Sequence, residues 1–210
     1  MSGNQDEIMK VLRIDSSAQK AGSVSRGIGD EVIRRLAERH ARMEVINLDL
    51  EHGIGHIDGD WVGANFTTED QRSEEQRERL VASDRAVAAL REVDMVVLTA
   101  PVYNFSIPSV LKAWIDHVCR AGLTFRYTEN GPQGLLADKP VYLVMASGGV
   151  PFGSPVDFAS GYLKQVFRFI GIEDVRLIGA ERVAEDADVA KQAALSSLDI
   201  WLPETVGEVA

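Results

Sequence analysis

The sequence predicts a doubly wound α/β fold, on three observations. Short runs rich in Val, Ile and Leu alternate with helical stretches along the whole chain. The runs show little of the polar alternation of a one-faced sheet, as strands covered on both sides by helices require. Several of them also end in loops of serine, glycine, proline or asparagine, the residues that shape ligand loops at strand ends.

Taken in order, strands are expected near 9–15, 43–48, 94–100, 140–146 and 174–180, with helices over 24–40, 69–92, 108–121, 158–170 and 186–202. Helix 69–92 opens on Thr68-Glu-Asp-Gln71, a capping pattern. It carries Glu74, Glu75, Arg77, Glu78 and Arg79 before Leu80, Val81, Ala86, Val87 and Leu90 return at helical spacing. Its first turns are therefore expected in solvent, and the pair Glu74-Glu75 reads as a solvated face.

Two inserts interrupt the alternation. Segment 50–67 holds Gly53, Gly55, Gly59 and Gly63, and segment 122–138 holds Tyr127-Thr-Glu-Asn-Gly-Pro-Gln-Gly134. In the second, the strand-like Thr124-Phe-Arg-Tyr127 followed by Asn130-Gly131 predicts a two-stranded hairpin. Both inserts exceed the ~2–6 residue connections usual in α/β units, which marks them as a pocket rim or a subunit contact.

With 210 residues, 45% of them hydrophobic, one core is expected, in a single domain spanning 1–210. A formal charge of −10 opposes non-specific nucleic-acid binding and offers no basic tract to an anionic membrane. The apolar runs are of strand length, far below the roughly 20 residues of a membrane span. The start, Met1-Ser-Gly-Asn-Gln-Asp-Glu7, lacks the basic and apolar regions of a secretion signal, and the one cysteine, Cys119, has no intrachain disulfide partner. A cytoplasmic protein is expected.

Three loops carry the chemistry. The first strand leads into Asp15-Ser-Ser-Ala-Gln-Lys-Ala-Gly-Ser-Val-Ser25, where Ser17, Ser23 and Ser25 offer hydroxyls and residues 22–25 offer N–H groups to a phosphate at a helix start. The competing reading has Ser23 or Ser25 simply capping the helix. Neither a Walker A nor a Gly-x-Gly-x-x-Gly pattern is present, so the expected anion is a mononucleotide phosphate held without Mg²⁺. The strand Met95–Ala100 runs into Pro101-Val102-Tyr103-Asn104-Phe105, flat and hydrogen-bonding groups suited to a heteroaromatic ring. The strand Val141–Ala146 empties into Ser147-Gly148-Gly149, whose N–H groups can meet the edge of that ring; the plainer reading is a tight turn.

Other residues are given no chemical role. His52 and His56 lie among glycines that argue against the helix a metal pair would need. His117 and Cys119 sit on one helix with diverging side chains, and Cys119 reads as a buried structural thiol. Nothing in the spacing brings Asp15 and Asp116 together. A phosphatase or a receiver domain would need a cysteine nucleophile or an acidic pair in the first loop, and neither is there.

Ser17 with Ser23-Val24-Ser25, Ala100-Pro-Val-Tyr-Asn-Phe105, Leu111-Lys-Ala-Trp114, the run Arg120–Leu135, Ser147-Gly-Gly149 and Phe169-Ile-Gly-Ile172 resemble, in order, the FMN-dependent NADH:azoreductase family, also called NADH:quinone reductases. The resemblance implies a flavodoxin-like three-layer sandwich with a five-stranded parallel sheet and helices on both faces. It implies one tightly bound FMN per subunit, NADH or NADPH as donor, and a homodimer with sites at its interface. The implied reaction is two-electron reduction of quinones and azo compounds through flavin N5 by ping-pong kinetics, its first half needing no protein acid or base.

By position, Ser17, Ser23, Val24 and Ser25 would hold the phosphate, Pro101 through Phe105 would line the ring, and Ser147, Gly148 and Gly149 would meet its edge. Tyr127 and Phe169 would face the substrate, in the family from the partner subunit; the plainer reading is hairpin packing for Tyr127 and core packing for Phe169. Val102 stands where the family commonly has Met, and Ala146 where some members have Ser. A flavodoxin-type electron carrier shares the fold and the FMN and is the alternative function.

Overall fold

The computed structural model describes residues 8–203; the N-terminal stretch 1–7, read above for a secretion signal, lies outside the described residues. Five parallel strands form one sheet: β1 Met9–Asp15, β2 Met43–Asp49, β3 Met95–Pro101, β6 Val141–Ala146 and β7 Val175–Ala180. Their order is β2-β1-β3-β6-β7, the flavodoxin-like arrangement. A separate antiparallel hairpin, β4 Phe125–Thr128 with β5 Gly131–Gly134, leaves the chain before β6.

Side-chain alternation along the buried strands divides the core between two layers of helices. Val11, Val97, Tyr142 and Val144 face α1 (Val24–Arg39) and α6 (Ala187–Leu198), packing on Ile28, Val32, Leu36, Ala190 and Ala194. Leu12, Val96, Leu98, Leu143 and Met145 face the opposite layer of α3 (Glu74–Glu92), α4 (Ser109–Val118) and α5 (Ser160–Ile170), with Leu90, Trp114 and Phe167 at its centre. Burial on both faces explains why β3 and β6 read as unbroken apolar runs, whereas the edge strand β2, with no residue fully buried, alternates with Glu44, Asn47 and Asp49.

The expected elements are present with shifted ends. The insert at 50–67 contains a helix the sequence reading left out, α2 Gly59–Phe66, whose start is capped by Asp58 accepting from the Trp61 N–H at 2.8 Å. Two glycines disguise it, and it is held by packing: Trp61 and Ala64 are buried against Leu80 of α3. The helix expected from residue 69 begins at Glu74. Ser73 and Gln76 form the capping box, at 3.2 and 3.1 Å, whereas Thr68 makes no capping bond and leads only a short 3-10 turn over Glu69–Gln71.

Helix α4 stops at Val118 and α6 at Leu198, short of 121 and 202. Beyond α6, the buried Arg35 of α1 pairs with Asp199 and donates to the Leu202 carbonyl at 2.8 Å, and this anchors the segment without helix. The expected hairpin is present, its turn at Glu129-Asn130 with Gly131 at φ +103° opening β5.

β1 pairs with both β2 and β3, so the winding reverses beside it, and Asp15 lies in register with Asp49 on one side and Thr99 on the other. The carboxyl ends of β1 and β3 therefore open a crevice, where sheets of this class take their ligands.

Candidate functional site

A cleft of about 300 Å³ occupies that crevice. The loop after β1 lines it with Ser17, Gln19, Gly22, Ser23, Val24 and Ser25; the end of β3 adds Pro101, Val102 and Tyr103. Ala146 comes from the end of β6, Ser147 and Gly148 from the loop after it, and Val183 with Ala184 from the loop after β7. Segments that are distant in sequence thus converge as expected. Gly22 was expected through its N–H group, whereas Gln19, Val183 and Ala184 were missed; the last two follow the fifth strand's carboxyl end, the rule that located the other loops.

At one end of the cleft the groups suit an anion. Ser23 is the N-cap of α1, accepting from the Arg26 N–H at a long 3.4 Å, and its hydroxyl lies 3.3 Å from that of Ser25, which is only 1% exposed. Capping and anion binding are therefore not rivals, because the cap uses one lone pair of Ser23. The first N–H groups of a helix have no intrahelical partners, and no acidic residue stands in the first turn of α1. Ser17 is buried, its hydroxyl accepting from the Gln19 N–H at 3.2 Å.

Beneath this loop lies a charged lattice. Asp15 is buried between Arg13 Nε at 2.9 Å and the Thr99 hydroxyl at 2.6 Å. Arg26 grips Asp49, and this pairing holds the guanidinium above its ordinary pKa and Asp49 below the usual carboxylate range.

At the other end the groups suit a ring. Val102 continues the pairing of β3 with β6 through its N–H to the Ala146 carbonyl at 2.8 Å. Tyr103 and Ser106 then exchange two backbone bonds, 2.8 and 3.0 Å, across a turn whose central residues Asn104 and Phe105 have φ +48° and +69°. Phe105 is 57% exposed and, like Gly149, is not part of the cleft lining. The edge donors differ from expectation in one respect. The Ser147 N–H is committed to the Ala180 carbonyl at 2.8 Å and its hydroxyl accepts from Val150, which leaves Gly148 as the expected edge donor that lines the cleft.

Tyr103 also walls a second cavity of about 570 Å³, with Asn104, Ser106, Ile107, Lys112, Phe158 and Tyr162. Burial pushes the Tyr162 phenol up to about 12. A groove of about 590 Å³ between α2 and α3 is no smaller, but Asp60, Glu75 and Glu78 line it and it suits no anion.

Tyr127 and Phe169 are not brought to the cleft within one chain. They belong to the hairpin and the last turn of α5, at the amino ends of the strands, with Phe125 4.4 Å from the Phe169 ring and 5.5 Å from that of Tyr127. Tyr127 is 75% exposed. Asp116 pairs with Lys112, remote from Asp15. Among the described residues no cluster of His, Cys, Asp and Glu is arranged to hold a metal ion. His117 is buried edge-on to Trp61, and burial pushes the Cys119 thiol up to about 11. No described helix is long and apolar enough to cross a membrane.

This crevice and strand order define a protein of the flavodoxin-like class, and a family model described as "Flavodoxin-like fold" matches residues 9–201. An FMN-dependent NADH:quinone oxidoreductase of Azotobacter vinelandii is 47% identical over 173 residues, 82% of this chain and 87% of that one. Another, of Jannaschia sp. (strain CCS1), is 44% identical over 189 residues, 90% and 96% of the two chains. An azoreductase from Bacillus anthracis str. Sterne superposes with a TM-score of 0.81 at 28% identity, over 92% of this chain and 96% of that one. A Bacillus anthracis FMN-dependent NADH-azoreductase solved in complex with FMN gives 0.81 at 25% identity, over 92% and 97%. The chain belongs to the flavodoxin-like family that includes the FMN-dependent NADH:quinone oxidoreductases.

Proposed function

We propose that the protein is an FMN-dependent oxidoreductase that uses NADH to reduce quinones and azo compounds. The observation that carries this reading is the convergence of the β1, β3 and β6 loops on one cleft, anion-binding at one end and aromatic at the other. The residues fit FMN. Ser17, Ser23 and Ser25 with the first N–H groups of α1 would hold the phosphate, Pro101, Val102 and Tyr103 would flank the ring, and the N–H group of Gly148 would meet its edge. When bound, FMN would supply two-electron chemistry, taking a hydride from NADH at N5 and passing the electron pair to an acceptor, the two substrates occupying the same place in turn.

The protein's part is to bind, orient and exclude water, and in the hydride transfer from NADH no side chain need act as acid or base. N–H groups aimed at the flavin edge stabilise negative charge there, and in a site shielded from water such dipoles count for more. The cavity beyond Tyr103 supports an enzyme over an electron carrier, because it gives a second flat molecule room beside the ring, whereas a carrier needs only an exposed edge. The exposed Tyr127, with Phe169 behind it, would reach such a site only from a second subunit, and a homodimer that joins hairpin to cleft is part of this proposal.

The test is direct. Protein reconstituted with FMN and passed through gel filtration should stay yellow, and anaerobic mixing with NADH in a stopped-flow instrument should bleach the flavin band. A colourless protein overturns the site; a yellow one that NADH cannot bleach leaves only the carrier.

A further inference from the structure

Two cations stand beside the serine loop, and each is held by an acid at or just after the end of β2. Lys20 pairs with Glu51. Arg26 forks onto Asp49, Nη1 to Oδ2 at 3.0 Å and Nη2 to Oδ1 at 2.9 Å, and Nη1 lies 3.5 Å from Asp15 Oδ2. Its charge is therefore met by two carboxylates, and the side chain is mostly buried, 11% exposed. It is not a free cation waiting for an anion.

Arg26 nonetheless touches the loop at both ends. Its backbone N–H donates to Ser23 Oγ at 3.4 Å, and its Nη2 donates to the Ser17 carbonyl at 2.8 Å. A carbonyl turned toward the cleft would set the negative end of its dipole against a phosphate; hydrogen-bonded to the guanidinium, that of Ser17 is held on the protein side. Asp49 fixes the guanidinium that fixes the carbonyl, and Asp49 is itself in register with Asp15 at the end of β1.

We propose that Arg26 is a positioning residue for the cofactor phosphate: clamped by Asp49, it closes the Ser17–Ser23 loop into the shape that receives the anion, and it does so by geometry, with its charge already neutralised. The inference rests on the FMN reading above and adds a residue that touches neither ring nor substrate.

The experiment compares FMN with riboflavin, which lacks the phosphate, by fluorescence titration of apoprotein. Arg26→Met should weaken FMN about tenfold, the scale of one hydrogen bond to a charged group, and leave riboflavin affinity unchanged. Arg26→Lys, which keeps the charge but not the planar fork, should behave like Arg26→Met. Asp49→Asn should also weaken FMN selectively, and Arg26→Met/Asp49→Asn should be no worse than Arg26→Met alone, because linked groups are not additive.

Equal loss for both flavins, full affinity in Arg26→Lys, or additive losses in the double variant would overturn the proposal. Should Arg26→Met not fold, Asp49→Asn decides alone by the same FMN-against-riboflavin comparison. Wild-type protein that fails to bind FMN overturns the site reading and this inference with it; wild-type binding matched by Arg26→Met overturns this inference alone.

Discussion

Gly134 and Gly171 approach so closely that neither position has room for a side chain. A Cβ on Gly134 would overlap the Gly171 backbone and lie 2.5 Å from the Ile170 carbonyl carbon; one on Gly171, at φ +107°, would lie 2.6 Å from the Leu136 carbonyl oxygen. With the Leu136 N–H donating to Ile170 at 2.9 Å, this contact fastens the hairpin to the end of α5. Gly134→Ala forces one backbone off another. It should cost about 1–3 kcal/mol, the range of overpacked cores, read as a lower thermal midpoint. FMN affinity should not change, because the cleft lies at the opposite end of the strands.

Replacing both Ser23 and Ser25 by Ala removes two hydroxyls from the anion end of the cleft. FMN binding should weaken by about 1–3 kcal/mol with the fold intact, measured by titration and circular dichroism. Unchanged affinity would leave these serines with helix capping only.

Two half-buried acids set the alkaline limit. Burial raises Cys119 to about 11 from 9.0 and Tyr162 to about 12 from 10.0, since each is harder to ionise inside than in the unfolded chain. Their contribution to stability is full below the unfolded values and is lost as pH rises through the folded ones. Thermal midpoints should therefore fall steadily between pH 9 and 11. Iodoacetamide at pH 8 should label native protein far more slowly than urea-unfolded protein.

On the acid side, burial pushes the His117 imidazole below its ordinary 6.5. The unfolded chain takes up that proton first, so stability is full above about pH 6.5 and declines as the pH falls below it. His117→Gln should flatten this part of the stability curve, and a slope equal to that of the wild type would assign it to other groups.

The strands were legible because burial on both faces leaves an apolar record, clearest from Val11-Leu12 to the wholly buried Val141–Ala146. The three loops were legible for a related reason: Ser17, Tyr103 and Gly148 follow strand ends, and a doubly wound sheet gathers those ends at one edge. Helix α2 was not, since Gly59 and Gly63 lower local preference and only the packing of Trp61 on Leu80 restores it. The start of α3 was misplaced because Thr68-Glu-Asp-Gln71 and Ser73-Glu-Glu-Gln76 carry the same signature, and only tertiary context selects between them. The buried Arg120, which donates to Ser83 Oγ at 2.8 Å and pairs with Asp84, was placed in the last turn of the expected helix 108–121 and given no partner of its own. Long-range ion partners leave no mark in local spacing, which is also why the clamp of Asp49 on Arg26 was invisible.

Phe105→Gly tests the turn beside the cleft. A left-handed backbone costs L-residues about 1–2 kcal/mol, so removing the Cβ at φ +69° should not lower the thermal midpoint, although the aromatic face is gone. A lowered midpoint would mean that the exposed ring packs on something.

That turn is closed by reciprocal bonds between Tyr103 and Ser106 and wound in the sense that ordinary residues resist. A flap must be able to swing, and this one is already latched. Molecules entering beside it meet a rigid template, so discrimination among them comes from outline and thickness, and little ordering entropy remains to be lost when a guest of the right shape arrives.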